Sequence, residues 1–377
     1  MQALTDPVAL AQRLIRCASV TPARGEVFDV LEQALRKLGF TVHRWVMGDP
    51  PDGPTENMVA IRGDGAPHFG FAGHLDVVPP GEGWSGGDPY AADIADGLLV
   101  GRGANDMKSA IAAYVAAISR IEPAAGTLSL LITGDEEGYS VYGTPRIIDW
   151  LNERRIRPDM ILIGEPTSVE RLGDTVKIGR RGSVNMWIEV PGVQGHVAYP
   201  HRAMNPVPLL ARVIAALDSL HLDDGNDVFP PSNLEFTAVS TPTSASNVIP
   251  GSATAQLNIR FNNLQRGADL VRQVEEIAER EAPGSKVKAR ISGEAFLTPP
   301  GPLYDVVVSA IEEETGLPPE LSTGGGTSDG RFLIQLCPVV DFGLPNATMH
   351  KVGECAAVED IRALSRIYER IVRKVLG

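Results

Sequence analysis

Short apolar runs and longer stretches with helical spacing alternate along the first half of the chain. Val59–Ile61, Phe69–Ala72, Leu128–Ile132, Met160–Ile163 and, much further on, Val339–Phe342 read as buried strands. Between them the apolar positions recur at helical intervals. Thr5-Asp6-Pro7 offers a cap and a first-turn proline for a helix to about Ile15, and a second amphipathic helix fits Gly25 to Leu38, stopped by Gly39. Lys108–Ile121 and Thr144–Glu153 are two more. Strands alternating with helices predict an α/β fold: a mixed, largely parallel sheet with helices on both faces.

From Gly182 to about Gly293 the rhythm changes to strand 183–190, helix 206–220, strands 233–239 and 253–261, helix 267–281 and strand 286–292. This β-α-β-β-α-β order is the ferredoxin-like unit. The earlier pattern then resumes, with helices at about 303–315 and 358–375. The chain is therefore expected to form one domain from 1–181 and 294–377, with 182–293 inserted into it. Short edge strands in the insertion would be open to a second subunit, so a homodimer through that domain is expected.

At 377 residues the chain has room for two domains, and 43% hydrophobic with 21% charged residues is the balance of a globular enzyme. The formal net charge of -13 argues against nucleic acid and anionic membrane as partners and leaves a small molecule as the expected ligand. Cys17, Cys337 and Cys355 form no C-x-x-C pair, and Asp6, Arg13 and Arg16 break any leader-like apolar core. A cytoplasmic location is expected.

The chemistry-bearing residues fall just past the strands. His74 follows Phe69–Ala72, Asp135-Glu136-Glu137 follows Leu128–Thr133, Glu165 follows Met160–Ile163, and His350 lies beyond Val339–Phe342. The carboxyl ends of parallel strands share one edge, where ligands bind. His74 and Asp76 are two apart, a spacing that lets a carboxylate orient the imidazole. Asp106 opens the Lys108 helix and reads alone as an N-cap, but Gly101 and Gly103 before it allow the close approach a ligand needs. Two histidines with Asp106, Glu137 and Glu165 match the nitrogen and oxygen donors zinc accepts, and Glu136 beside Glu137 would be left to move protons. Nucleotide readings fail. Gly101–Asp106 lacks the third glycine of a dinucleotide fingerprint, and Gly325–Phe332 has Arg331-Phe332 where a phosphate loop has Lys and Ser or Thr. The Gly324–Gly330 loop and the Arg180-Arg181 pair supply groups for an anionic substrate instead.

These residues resemble the M20 family of metallopeptidase-type amidohydrolases over nearly the whole chain. The resemblance rests on Gly73–Pro79, Gly101–Lys108, Thr133–Gly138, Gly164–Thr167, Gly179–Ser183, Gly324–Phe332 and Asn346–Lys351. It implies a zinc-peptidase-like catalytic domain with two zinc ions per subunit, cobalt or manganese being able to substitute. Asp106 would bridge them, His74 and Glu165 would bind one, and Glu137 and His350 the other. It also implies Glu136 as general base and acid, with Asp76 in a catalytic role, and a cis peptide after Asp106. His196 would reach a neighbouring subunit's site to stabilise an oxyanion. Arg180, Ser183, Tyr199, Asn247, Arg260, Gly326, Thr327 and Asn346 would bind the carboxylates and polar groups of a dicarboxylic amide, the last three motifs pointing to a succinyl group. Rival readings within the family are an acetylornithine deacetylase or an aminoacylase; outside enzymology, the rival is a non-catalytic metal- or peptide-binding protein.

Overall fold

The computed structural model describes residues 6–122 and 126–377, and Thr5 of the first cap lies outside them. The chain divides into two compact units, one of 1–178, 298–322 and 328–377, the other of 179–297 and 323–327. The first opens with α1 (Pro7–Arg16), where Asp6 caps the amide of Val8, and α2 (Glu26–Lys37). Strands β1 (Thr41–Met47), β2 (Thr55–Asp64) and β3 (His68–His74) follow. Next come a short hairpin, β4 (Asp93–Ala95) and β5 (Leu98–Val100), then α3 (Lys108–Ser119), β6 (Gly126–Thr133), α4 (Thr144–Glu153), β7 (Met160–Ile163) and β8 (Thr175–Lys177).

In the second unit, β9 (Gly179–Arg180) leads into β10 (Gly182–Pro191), β11 (Gly195–His196), α5 (Pro206–Asp218) and β12 (Asn233–Ser240). It continues with β13 (Val248–Ile249), β14 (Ser252–Phe261), α6 (Gly267–Glu281), β15 (Lys286–Gly293) and β16 (Phe296–Leu297). The first unit is completed by α7 (Pro302–Thr315), β17 (Glu320–Ser322), α8 (Gly330–Leu333), β18 (Val339–Asp341), β19 (Cys355–Ala357) and α9 (Val358–Leu376).

The main sheet has the order β1-β2-β6-β3-β7-β18-β8-β17. Its centre, from β6 through β3 and β7 to β18, is parallel; β2, β8 and β17 run against it, while β1, antiparallel to β2, runs with it. Strands β3 and β6 are buried at every position, so side chains on both faces are covered. Helix α3 is buried on all sides between α1 and α9, and α4 packs on β2, β6 and α8. Strand β2 is far longer than the expected 59–61 because Thr55, Glu56 and Asn57, polar by sequence, are buried within it. Edge strand β1, with His43, Arg44 and Trp45 in succession, carries no apolar run to reveal it.

The second unit has the sheet order β12-β14-β10-β15, antiparallel throughout, with α5 and α6 packed on it. Perfect alternation along β14 sends Ala253, Ala255, Leu257, Ile259 and Phe261 into a core shared with Val184, Met186, Ile188, Leu210, Val213 and Val274. Its limits differ from the expected 182–293. Phe296 and Leu297 pair with Arg180 and Gly179 and draw both connecting strands into this unit. Residues 323–327 join it as well, for Thr323 bonds to the Val228 carbonyl and Arg180 to that of Gly326. Among the described residues no helix is long and apolar enough to cross a membrane.

Candidate metal centre

Three adjacent parallel strands end side by side, with His74 opposite Thr133 and Ala72 opposite Ile163. Residues at or just past those ends share one edge of the sheet: His74 closing β3, Asp135–Glu137 after β6, and Glu165 after β7. Asp106 arrives from the opposite direction, ahead of α3. The helix start can come this close because Gly73 and Gly164 have no side chain; a Cβ on either would lie 2.5 or 2.7 Å from Met107 Cε. The Asp106–Met107 peptide is cis. Met107, not Asp106, occupies the N-cap position, and no side chain caps that helix. The Asp106 carboxylate therefore serves something other than its helix.

Its two oxygens divide between two imidazoles. Oδ1 lies 3.0 Å from His74 Nε2, which is also 3.7 Å from Glu165 Oε1, while Oδ2 lies 3.4 Å from His350 Nε2, itself 3.0 Å from Glu137 Oε1. Two groups of three donors thus meet at one carboxylate. His74 is 1% exposed by its side chain and His350 45%, so the second group is the one open to solvent. His350 adopts a φ of 61°, a region non-glycine residues seldom occupy, which aims its ring from the loop after β18.

His74 Nδ1 donates to the main-chain oxygen of Asp76 at 3.0 Å, whereas the Asp76 carboxylate is 3.6 Å away. The expectation that this carboxylate orients the imidazole is corrected accordingly. It accepts instead from the amides of Glu136 and Glu137, at 3.2 and 2.9 Å, and shapes the turn that carries them. With Nδ1–H committed to a carbonyl, Nε2 of a neutral ring points a lone pair at the Asp106 carboxylate. Two acceptors face one another, and a proton or a metal cation between them resolves the conflict.

The electrostatics agree. Burial disfavours a charged His74, yet its hydrogen bond to Asp106 raises the ring well above its ordinary value. Hydrogen bonds to Asp106 and Glu137 lift His350 to about 10. Burial, then the Asp329 charge, push the Glu136 carboxyl up to about 8. Positive charge is favoured between these acids, and the donor set suits a hard or borderline divalent ion. His74, Asp106 and Glu137 form one candidate metal-ligand group; His74, Glu136 and Glu165 form another. Glu136 faces Arg331 at 4.0 Å, and Arg331 is held by the Ser140 hydroxyl at 2.8 Å. Asp135, in excess of what the chemistry needs, accepts from the Tyr142 amide at 3.1 Å and holds the loop closed.

Of the expected substrate residues, Asn346 lies in the first unit, its amide bonded to the Ser168 carbonyl. The others lie in the second unit, in two groups. Arg180, buried, reaches the Gly326 carbonyl at 3.1 Å, beside Thr327, and Ser183 pairs across the sheet with Arg260. His196 pairs with Val248, next to Asn247, and its ring stands 5.8 Å from that of Tyr199. Arg102, Glu354, Asp329 and Arg331 were not anticipated. The available signal was charge inside otherwise small or apolar stretches, as in Gly353-Glu354-Cys355-Ala356-Ala357.

A family model described as peptidase family M20/M25/M40 matches residues 70–374. A curated succinyl-diaminopimelate desuccinylase from Zymomonas mobilis subsp. mobilis is 60% identical over 372 residues, covering 99% of both chains. One from Rhizorhabdus wittichii is 59% identical, again covering 99% of each. Among solved structures, a tripeptidase from Staphylococcus aureus superposes with a TM-score of 0.81 at 18% identity, covering 98% of each chain. A dinuclear metal binding peptidase of the M20 family from Bacillus subtilis gives a TM-score of 0.71 at 16% identity, covering 100% of this chain and 99% of its own.

Proposed function

This chain belongs to peptidase family M20/M25/M40, and on that footing we infer that it is a metal-dependent amidohydrolase acting on N-succinyl-LL-2,6-diaminopimelate. It releases succinate and LL-2,6-diaminopimelate, a step of lysine and diaminopimelate biosynthesis, in the cytoplasm. Likeness to curated desuccinylases along the full chain carries the substrate assignment.

Two zinc ions per subunit are the proposed cofactor, with cobalt or manganese as substitutes. His74 and Glu165 would hold one, Glu137 and His350 the other, with Asp106 shared. The division of the Asp106 oxygens between the two imidazoles supports this reading. Bound there, zinc supplies Lewis acidity, lowering the pKa of water towards about 7 and polarising the amide carbonyl.

The chain's own groups do the rest. Glu136 takes a proton from the attacking water and returns it to the leaving nitrogen, a role supported by its place next to Glu137 and facing Arg331 at 4.0 Å. Asp76 fixes the turn that presents Glu136 and Glu137. His196 of a partner subunit donates to the tetrahedral oxyanion. Arg180, Ser183, Tyr199, Asn247, Arg260, Gly326, Thr327 and Asn346 take the carboxylates and polar groups of the substrate.

The test is turnover by chelator-stripped protein reconstituted with zinc, offered N-succinyl-LL-diaminopimelate and N-acetylornithine in parallel. Faster cleavage of the succinyl compound, lost with chelator and restored by zinc, is expected. A preference for N-acetylornithine would move the assignment to a deacetylase, and no metal-dependent hydrolysis of either would overturn the enzymatic reading.

A further inference from the structure

Glu354 is fully buried and stands four residues after His350, yet none of the chemistry above uses it. Its Oε1 accepts from three main-chain amides, those of Gly103 at 3.1 Å, Asn105 at 2.8 Å and Asp106 at 3.0 Å. Its Oε2 accepts from Arg102 Nη1 at 2.5 Å. Arg102 is equally buried, lies over the Trp84 ring at 5.5 Å, and turns Nη2 to the carbonyls of Pro79, Pro80 and His350 at 3.4, 3.2 and 3.4 Å. One ion pair thus gathers three separate segments: the loop carrying Asp106, the segment leaving His74 and Asp76, and the loop carrying His350.

A buried ion pair is a poor way to gain stability, since apolar residues of similar volume serve as well or better. What this pair does that apolar residues cannot is fix main-chain amides. Three N–H groups converging on one oxygen set where the Asp106 backbone lies, and hence where its two carboxylate oxygens meet two histidines from different loops. We propose that Glu354 is a positioning residue for the metal centre, holding the Asp106 loop and, through Arg102, setting its distance from the His74 and His350 segments. The proposal rests on the two-metal reading of the site.

The experiment uses Glu354→Gln, Glu354→Asp and Arg102→Lys in the full chain. Gln keeps an acceptor for the amides but loses the ion pair; Asp and Lys keep both charges but shorten or blunt the link. Metal-free protein is titrated with Co²⁺, and binding and coordination are read from the d–d absorption bands. Groups that support metal ligands from behind are worth about 10–100-fold in metal affinity. The Gln variant should lose that much and show altered bands, with the Asp variant recovering part of it and kcat falling more than KM rises. Three results would count against specific claims. Parent protein taking up fewer than two Co²⁺ would overturn the two-metal reading itself. Parent taking up two, with all variants matching it in affinity and spectrum, would overturn the role of Glu354 alone. All three variants unfolded without metal, by circular dichroism, would make the carboxylate an anchor of the fold rather than a positioning group.

Discussion

Gly343 follows β18 at a point where a Cβ would lie 2.5 Å from the Glu165 carbonyl oxygen and 2.8 Å from that of Gly164. Main chain cannot swing aside as a side-chain tip can, so Gly343→Ala must push the segment that presents Glu165. A loss of about 1–3 kcal/mol is expected from overpacking, together with weaker metal uptake, measurable by thermal unfolding and elemental analysis. Parent-like values in both would show that Glu165 is not held by this contact. Glu136→Gln addresses a different residue-scale question. It should leave metal content intact while kcat falls by about 10²–10⁴-fold; zinc loss would make Glu136 a ligand instead. The sequence made His74, Glu136, Glu137 and Glu165 legible because they stand at or just past strand ends, and Asp106 because glycines precede it at a helix start. It did not reveal which atom each one meets. Asp76 shows why: two-residue spacing places its side chain near His74, but the adjacent carbonyl is closer, and the carboxylate is taken by two amides of a loop sixty residues away.

Elements with a strong period were readable at sequence level, and those created by tertiary pairing were not. Strands β3, β6 and β7 announce themselves by apolar runs, and the inserted β-α-β-β-α-β order by its alternation. The three-residue strand β19 exists only because Cys355–Ala357 meets Leu98–Val100 of β5 across more than 250 positions. The loop after α5 illustrates a local device of the same kind. Burial disfavours an ionised Asp223, but hydrogen bonds from Ser232, Gly225 and Asn262 outweigh it and hold the carboxyl down to about 2. An unfolded aspartate titrates at about 3.9, so the ionised group stabilises the fold fully above that pH and loses its effect as pH falls through about 2. Asp223→Asn should therefore melt below the parent at neutral pH, with the gap narrowing under acid. A gap that stays constant from pH 7 to pH 2 would refute the linkage.

At the scale of the whole molecule, five candidate ligands drawn from five segments would make the catalytic unit sensitive to its cations. Chelation should lower the melting temperature and zinc should restore it, by about 2.7 kcal/mol where free zinc is 100-fold above its Kd; calorimetry with and without chelator measures this. Assembly can be tested through function. If His196 serves a partner's site, mixing Glu136→Gln with His196→Ala chains, each inactive alone, makes hybrid dimers with one intact site of two. Statistical exchange then restores about one quarter of parent activity, and no recovery after exchange would place His196 within its own chain's site or outside the reaction. Whether a second chain docks was the least legible question in sequence, because the exposed edge strand β12, with Val239 60% exposed, reads the same whether solvent or a second chain lies against it.

The ribbon of β9 and β16 has a further consequence for how such a molecule arose. Gly179 and Leu297 are hydrogen-bonded neighbours, although 118 positions separate them in the chain. A gene segment spliced into an ancestral single-domain hydrolase at this point would have left the host's two flanking ends almost where they were. The same geometry makes the reverse operation simple to attempt: replacing 179–297 with a hairpin-length bridge would ask whether the remaining unit folds and takes up metal without the inserted residues.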